Sequence, residues 1–229
     1  MKEELKIDRA IRSFARRSGR MTLGQKQALS EYWPHYGIDY ELTQASFTSA
    51  IQDYESVILE IGFGNGDALI KMAGNEPNVL HIGVEVHRPG VGRCLNIIER
   101  EKLLNVRLIS HDAIEVMQHM IPPQSLDKVL LFFPDPWHKK RHNKRRIVNQ
   151  KFRDLAFSLL KSDGHLHFAT DWQEYAEYMA EELLSDERFS NQGDSDGYAE
   201  RPDYRLRTRF EQRGLNLGHG VWDLVFKKA

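Results

Sequence analysis

A glycine-rich loop flanked by acids is the first part of the sequence whose residues could bind a ligand. Gly62 and Gly64 follow an apolar run, a third glycine comes two residues later, Glu60 precedes the loop and Asp67 ends it. Glycine suits a backbone that turns sharply and lets a ligand approach without a Cβ atom in the way. A dinucleotide-binding loop needs its third glycine where Asp67 stands, and that carboxylate would repel a pyrophosphate. The loop therefore indicates a cationic ligand without phosphate.

Acids also follow the next two apolar runs. Glu85 stands near the end of the second run, where the diol of a ribose could donate two hydrogen bonds to it. Asp112 follows the third run and could accept from an adenine amine, or it could only cap the next helix. Together with Glu60, these acids predict a nucleoside cofactor. S-adenosylmethionine fits, because it carries a sulfonium and an ammonium and no phosphate.

A rigid acid follows the fourth apolar run. Asp135 lies between Pro134 and Pro136, and prolines fix the backbone on both sides of it. This would hold the carboxylate at the edge of the sheet, where a transferable methyl group should lie, although the segment could also be only a rigid turn with a packing tryptophan. Residues 138–146 then carry six Lys or Arg in nine positions. Such a cluster would neutralise phosphates and give salt-dependent binding.

The net charge of −1 hides a strong segregation of charge along the chain. Residues 9–30 contain six Lys or Arg and no acid, whereas residues 171–189 contain seven acids and a single Arg. A polarised surface of this kind can steer a polyanion, or the two segments can be two solvated faces. The basic N-terminal segment predicts an arm that orders on RNA, with a permanently disordered arm as the alternative.

Length and composition exclude several classes of protein. The chain has 229 residues, 41% of them hydrophobic, which suits one large domain or a domain with an appendage. No apolar run approaches the roughly 20 residues of a membrane helix, and the charged start is no signal peptide, so we expect a cytoplasmic protein. The single cysteine, Cys94, can form neither an internal disulfide nor a multi-thiolate zinc site. The ten histidines show no ligand spacing, so we expect no metal.

The elements that must position these residues alternate between short apolar runs and amphipathic stretches. We predict a basic N-terminal arm and one helix in residues 1–50, and a second unit in residues 51–229. Predicted strands are 57–61, 79–86, 106–110, 128–133, 165–169 and 221–226, and predicted helices are 24–32, 67–72, 88–102, 113–120, 149–160 and 172–184, with a polar loop at 191–220. This order predicts a doubly wound, mainly parallel α/β sheet that binds ligands at the carboxyl ends of its strands.

These features resemble the class I S-adenosylmethionine-dependent methyltransferases. The resemblance implies a seven-stranded Rossmann-like sheet whose last strand is antiparallel. It narrows to the bacterial tRNA (guanine-N7)-methyltransferases, whose pattern the chain matches in order over nearly its whole length. The matching blocks are residues 12–14, 19–22, 60–66, 83–87, 134–139, 141–146, 170–172, 208–211 and 218–219.

The family resemblance implies a role for each matching residue. The cofactor contacts would be Glu60, Gly62, Gly64, Glu85, Asp112 and Asp135. Asp135 would also be the active-site residue. The contacts to the substrate would be Lys139, Arg141, His142, Asn143, Lys144, Arg145, Arg146, Asp171, Thr208, Arg209, Phe210 and Glu211. The implied substrate is the variable-loop guanine of tRNA, at position 46, and the protein could be a monomer or a homodimer.

The chemistry of guanine constrains the mechanism. N7 carries an in-plane lone pair and no proton, so its methylation needs no strong base, and the product is a cationic purine that a carboxylate stabilises. We expect Asp135 to orient the guanine by accepting from N1–H or the amino group, and Asp135 and Asp171 together to offset the product charge. Thr208 and Arg209 would hold the exposed guanine, and Glu211 would read its Watson–Crick edge.

Other functions remain open at this level. One alternative is a methyltransferase that acts on another nucleotide or on a small molecule, and another is an RNA-binding protein that keeps the fold without the chemistry. The intact acids argue against the second alternative, and Asp67 disfavours a dinucleotide dehydrogenase. Asp171 precedes a predicted helix, and its alternative role is to cap that helix.

Overall fold

The computed structural model describes residues 12–14, 19–205, 211 and 220–229. Its strands are β1 (Ser56–Ile61), β2 (Val79–Val84), β3 (Val106–Ile109), β4 (Leu126–Phe132), β5 (Leu160–Thr170), β6 (Phe189–Asn191) and β7 (Trp222–Lys228). They form one seven-stranded sheet in the order β3-β2-β1-β4-β5-β7-β6. Strands β1 to β5 pair in parallel, and β7 is antiparallel to both β5 and β6. The predicted mainly parallel sheet with an antiparallel last strand is confirmed.

Helices follow most of the strands, as the alternating pattern predicts. The helices of the described residues are α1 (Leu23–Glu31), α2 (Trp33–Tyr36), α3 (Ala45–Ile51), α4 (Asp67–Asn75), α5 (Arg88–Glu101), α6 (Ala113–His119), α7 (Gln150–Leu159) and α8 (Gln173–Leu184). A short 3-10 helix spans Lys140–Arg145. No helix in these ranges is long and apolar enough to cross a membrane.

The central strand β1 packs on both of its faces. Leu59 lies in the main hydrophobic cluster with Phe152 of α7 and Tyr175 of α8, whereas Ile58 packs with Met72 of α4 on the other face. All five side chains are buried. A parallel strand covered on both faces needs apolar residues at successive positions, which is why these strands are visible in the sequence as continuous apolar runs.

The segment before β1 packs against the edge of the sheet at β3. Helix α1 begins with a capping box in which Thr22 and Gln25 bond each other's backbone N–H groups, and it packs on α5, where the Asn96 amide donates to the Gly24 carbonyl (3.2 Å). The Ile38 N–H donates to the Leu108 carbonyl (2.8 Å). Residues 1–11 and 15–18 of the predicted arm lie outside the described residues, and the boundary at residue 50 stays a prediction.

Three short elements depart from the prediction. The predicted helix 24–32 corresponds to α1, but it is not the only helix before β1, because α2 follows it directly and proline is tolerated in the first turn of a helix. Helix α3 was not predicted, since it buries a single residue, Phe47. Strand β6 ends at the start of the predicted polar loop and is too short to show a pattern.

Candidate active site

The carboxyl ends of β1, β2, β3 and β4 meet at two cavities. The larger has a volume of about 560 Å³, and Glu85, Asp112 and Asp135 line it. The smaller has a volume of about 250 Å³, and Gly62, Glu85 and Asp135 line it. The sheet therefore brings together acids that are 27 and 23 residues apart in the chain, as the parallel topology predicts.

The glycine-rich loop has an open face toward a ligand. Gly62 and Gly64 have φ angles of +73° and +58°, in the left-handed region that favours glycine, and a Cβ atom on either would meet nothing within 4 Å. Gly66 differs, because a Cβ atom there would lie 2.4 Å from the Sγ atom of Cys94. The first two glycines thus leave space for a ligand, and the third lets α4 pack closely on α5.

Glu85 holds the glycine-rich loop and also faces the cavities. Its Oε2 accepts from the Gly64 N–H (2.9 Å), and its Oε1 accepts from the N–H groups of Val86 (2.6 Å) and His87 (2.8 Å). A carboxylate has about four lone-pair sites, so these three bonds leave capacity for a further donor. Only a small part of Glu85 is exposed, and that part lies at the cavity.

Glu60 is a buried carboxyl with an unpaired oxygen. The residue is 3% exposed, and its Oε2 has no hydrogen-bond partner among the described residues. Burial, and secondarily the negative charge of Glu85, raise the pKa of Glu60 to about 8. A buried polar atom without a partner is costly, and a cationic group bound beside the loop would supply the missing partner. The chemistry of this site therefore fits a ligand with an ammonium group.

Asp112 has the structural role that the sequence left open, and it also lines the larger cavity. Its Oδ1 accepts from the Ile114 N–H (3.0 Å) and so caps α6. The neighbouring His111, which the sequence analysis missed, lines both cavities and stacks on Tyr40 with 3.6 Å between ring centroids. Its ring nitrogen also contacts Glu115. Its position next to Asp112 was the one signal that could have identified it.

The turn that carries Asp135 is held by more than its two prolines. Phe133 and Trp137 have φ angles of +52° and +50°, a left-handed conformation that is unusual for aromatic residues and is found where surrounding contacts enforce it. One such contact is the bond from the Phe133 N–H to the Ala169 carbonyl (2.7 Å) of β5. The Asp135 side chain is exposed and lines both cavities, so the turn presents a fixed carboxylate to them.

Trp137 and Arg145 hold residues 12–14 beside this turn. The Trp137 indole N–H donates to the Ser13 carbonyl (3.1 Å), and the Arg145 guanidinium donates to the carbonyls of Arg12 (2.9 Å) and Phe14 (3.0 Å). The same guanidinium lies 4.0 Å from the centroid of the Trp137 ring. Phe14 then lines both cavities, a position that no pattern in the sequence indicates.

The remaining residues of the basic segment divide into exposed and buried groups. Lys139, Arg141 and Lys144 are exposed, and the latter two line a groove of about 1170 Å³ together with the half-buried His142. The half-buried Asn143 amide, in the orientation that satisfies it, donates to the carbonyls of Trp137 (2.9 Å) and Lys139 (3.2 Å).

Arg146 is buried, at 4% exposure. It donates to the Pro136 carbonyl (3.1 Å) and to Glu174 of α8 (2.9 Å). Its guanidinium also lies over the rings of Tyr175 and Tyr178. Through its bond to Pro136, Arg146 therefore stabilises the turn that carries Asp135.

The loops after β4 and β5 lie side by side. The rings of His138 and Trp172 are 4.5 Å apart, which places Lys139 and Asp171, their respective chain neighbours, in adjacent loops. Asp171 is half-buried and does not cap α8, whose N-cap is Trp172 without a side-chain hydrogen bond.

Of the last predicted substrate stretch, Thr208, Arg209 and Phe210 lie outside the described residues. Glu211 is described and is 3% exposed, with Arg205 donating to its Oε2 (2.7 Å) and its Oε1 (3.0 Å). The structure therefore places Glu211 inside the protein rather than at the cavities. Within the described ranges, no group of three or more His, Cys, Asp or Glu side chains is arranged to hold a metal.

Comparison with known proteins identifies close relatives. A family model described as "Putative methyltransferase" matches residues 54–224. A tRNA (guanine-N(7)-)-methyltransferase of Yersinia enterocolitica is 51% identical over 96% of this chain and 92% of its own length. The protein of the same name from Shewanella amazonensis is 50% identical over 96% of this chain and 93% of its own length.

Solved structures share the fold at low identity. The aminoglycoside resistance methyltransferase NpmB1 aligns with a TM-score of 0.53 and 16% identity, over 83% of this chain and 95% of its own. TrmN from Thermus thermophilus aligns with a TM-score of 0.52 and 15% identity, over 81% of this chain and 48% of its own.

The relatives at half identity align over 96% of this chain and over more than nine-tenths of their own length. The cavity acids suit a cationic, phosphate-free cofactor, and the exposed lysines and arginines suit a phosphate backbone. On this combined evidence of sequence and geometry, the chain belongs to the family of tRNA (guanine-N(7)-)-methyltransferases.

Proposed function

We propose that this methyltransferase transfers a methyl group from S-adenosylmethionine to N7 of the variable-loop guanine of tRNA, at position 46. The observation that carries the proposal is the exposed Asp135 carboxylate, which a constrained turn holds at the edge of both cavities. The basic groove begins directly after this turn in the chain. The names of the curated relatives support the choice of base and atom. A tRNA substrate favours the cytoplasm as the location.

Each polar part of the cofactor has a counterpart among the acids at or just after the carboxyl ends of β1, β2 and β3. Glu60 would hold the ammonium, since its buried Oε2 has no hydrogen-bond partner within the part of the chain that the structure describes. Glu85 would accept from the ribose diol, and Asp112 from the adenine amine while it caps α6. The open faces of Gly62 and Gly64 leave room for the ligand beside the loop. When bound, S-adenosylmethionine supplies a methyl group on a cationic sulfur, and guanine N7 can attack that methyl without losing a proton.

Side chains of the protein would then orient the guanine and stabilise the positive charge that develops on it. The Asp135 carboxylate would accept from N1–H or from the exocyclic amine, which fixes the ring with N7 toward the methyl group. Positive charge develops on the purine as N7 is methylated, so Asp135 and the neighbouring-loop Asp171 would stabilise the transition state electrostatically. Lys139, in the same loop as Asp135, would hold a phosphate or the base beside them.

The proposal is tested by incubating the purified protein with S-adenosylmethionine and an unmodified tRNA transcript. Borohydride reduction and aniline cleavage then map 7-methylguanosine, and the proposal expects one cut, at the variable-loop guanine. A transcript with adenine at that position is the matched control and should give no cut. Methyl transfer without a cut at this position would overturn the proposed base or atom, and cofactor binding without any transfer would overturn the proposed substrate.

A further inference from the structure

Trp172 is an exposed aromatic side chain at the start of α8, in the loop that follows β5. It is 38% exposed, whereas Tyr175, one turn further along the same helix, is fully buried. Within the described parts of the chain, Trp172 belongs to none of the hydrophobic clusters that hold the sheet and its helices together. Packing of the core therefore does not account for a tryptophan at this position.

The position of Trp172 in the fold places its ring beside the active site. Strands β4 and β5 pair in parallel with Phe132 opposite Ala169, so the chain leaves both strands at the same edge of the sheet. Asp135 and Trp172 each come three residues after that pair. The His138 ring, in the loop that carries Asp135, lies 4.5 Å from the Trp172 ring. A lone apolar side chain on a surface is ordinary, but this one lies at the edge where methyl transfer would take place.

The backbone of Trp172 is fixed by hydrogen bonds on both sides. Its N–H donates to the Oγ1 of the buried Thr170 (3.2 Å), and its carbonyl accepts from the N–H groups of Tyr175 and Ala176 (3.0 Å each). The His138 ring meets the indole at an angle of 57°, so it does not cover the indole as a parallel stack would. The indole therefore has a fixed attachment and remains accessible to a partner from solvent.

A second tryptophan of the site shows what the face of such a ring attracts. The Arg145 guanidinium lies 4.0 Å from the centroid of the Trp137 ring, because the negative face of an indole attracts a cation. Among the described residues, no lysine or arginine lies over the Trp172 ring in this way. Asp171, its chain neighbour, adds a negative charge to the same loop. Both residues suit a cation, and guanine becomes one when its N7 is methylated.

We propose that Trp172 stacks on the target guanine and stabilises the positive charge that develops on the base during methyl transfer. This inference rests on the proposed function. Aromatic side chains stack on unpaired bases that are turned out of an RNA helix, and an indole is the best of them for binding a cation. Trp172 is then a catalytic residue that complements Asp135, because the carboxylate holds the edge of the base while the indole covers its face.

Two substitutions separate the π face from the apolar bulk of the side chain. Trp172→Leu keeps an apolar side chain without a ring, and Trp172→Phe keeps a smaller ring. We expect the rate constant of methyl transfer, measured in a single turnover with saturating S-adenosylmethionine and tRNA, to fall by about tenfold or more in Trp172→Leu. The fall in Trp172→Phe should be smaller, because stacking is weakened but not lost. The Kd for S-adenosylmethionine should not change. Trp33→Leu is the matched control, since the half-buried Trp33 lies in α2, away from the cavities.

Binding of the product distinguishes a stack on the target guanine from a structural role. Unmodified tRNA and tRNA that already carries 7-methylguanosine in the variable loop are compared as ligands of the protein with S-adenosylhomocysteine bound. Trp172→Leu should weaken binding of the methylated tRNA by about threefold more than binding of the unmodified tRNA, because only the methylated base is a cation. A loss of equal size for the two tRNAs would overturn the inference, since the ring would then contact another part of the tRNA or act on stability alone.

The rate measurements can overturn the inference as well. A wild-type rate constant in a folded Trp172→Leu protein would do so, and so would an equal loss in Trp33→Leu. If Trp172→Leu does not fold, Trp172→Phe replaces it, and a wild-type rate constant in that variant is the contradicting result. A wild-type protein that gives no cut at the variable-loop guanine overturns the proposed function and this inference together. The other contradicting results, obtained with an active wild type, overturn the inference alone.

Discussion

The Glu60 carboxyl, buried near the end of β1, holds a proton at neutral pH, because burial and the charge of Glu85 raise its pKa to about 8. A cationic ammonium beside it would favour the ionised form. Binding of S-adenosylmethionine near pH 7 is therefore expected to release about one proton from the protein. Calorimetry in two buffers of different ionisation enthalpy measures this number directly, and Glu60→Gln should release none and bind more weakly. Proton release that persists in Glu60→Gln would refute the assignment.

The raised pKa of Glu60 also predicts how the stability of the free protein depends on pH. A carboxyl whose folded pKa lies above its unfolded value stabilises the fold below the unfolded pKa, and this contribution is lost as the pH rises toward the folded pKa of about 8. Glu60→Gln avoids that loss. Its melting temperature should therefore exceed that of the wild type by more at about pH 8 than at about pH 6. A difference that is independent of pH would contradict the raised pKa.

Asp135→Asn tests the carboxylate of the turn. The amide keeps the shape and the prolines keep the backbone, but the negative charge that stabilises a cationic purine is lost. We expect kcat to fall by roughly a hundredfold and cofactor affinity, measured by calorimetry, to fall modestly. Asp163→Asn is the control, because Asp163 is an exposed acid that pairs with Lys227 (2.7 Å) away from the cavities. A kcat near the wild-type value in Asp135→Asn would exclude this role.

At the scale of single elements, the glycine-rich loop contains a glycine packed against a neighbouring helix, Gly66, and a glycine that faces open space, Gly62. A pair of variants distinguishes them. Gly66→Ala places a Cβ atom 2.4 Å from Cys94 Sγ in a left-handed conformation, so we expect roughly 2–4 kcal/mol of destabilisation. Gly62→Ala strains the backbone at a positive φ angle, but its Cβ atom meets no other atom. It should therefore lower the free energy of unfolding by only about 1–2 kcal/mol and weaken cofactor binding. Chemical denaturation and calorimetry measure the two effects. Equal stability of both variants would refute the distinction.

The sequence predicts the strands and helices whose apolar pattern lies within their own residues. Strands β1 to β5 and β7 are apolar runs because both faces of the sheet are covered, and helices α4 to α8 bury one side against them. The clustering of the acids follows from the order of strands and helices, because the carboxyl ends of parallel strands lie at one edge of the sheet. Strand β6 and helix α2 have three and four residues, too few to show a period. Their formation depends on neighbours elsewhere in the chain.

The parts of the site that the sequence does not predict depend on distant partners. The left-handed backbone at Phe133 and Trp137 depends on contacts with residues 169 and 13. The buried pair of His167 and Asp223 joins residues 56 positions apart. Arg146 is a further example. Its basic neighbours in the sequence indicate a phosphate contact, whereas in the fold its side chain is buried beside Glu174. Spacing alone carries no information about such pairs.

Across the whole molecule, the near-neutral net charge conceals a basic groove beside the active site. The groove runs from the 3-10 helix to α7, where Lys151 lines it, and Arg12 lines its other wall. Acids of α8 lie near its end, as the contact of Glu174 with Arg146 shows. Attraction of tRNA to this molecule therefore depends on a local field rather than on net charge, and salt should weaken it steeply.

This distribution of charge predicts which arginines and lysines set the salt dependence of tRNA binding. The slope of log K against log salt counts neutralised phosphates, so Arg141→Ala and Lys144→Ala, both at exposed positions of the groove, should each reduce it by about 1. Arg146→Ala should instead lower the melting temperature and leave the slope unchanged, because its guanidinium is committed to Pro136 and Glu174 inside the protein. Filter binding between about 50 and 200 mM salt measures the slopes. A reduced slope in a fully folded Arg146→Ala protein would show that this buried side chain turns outward to meet the RNA.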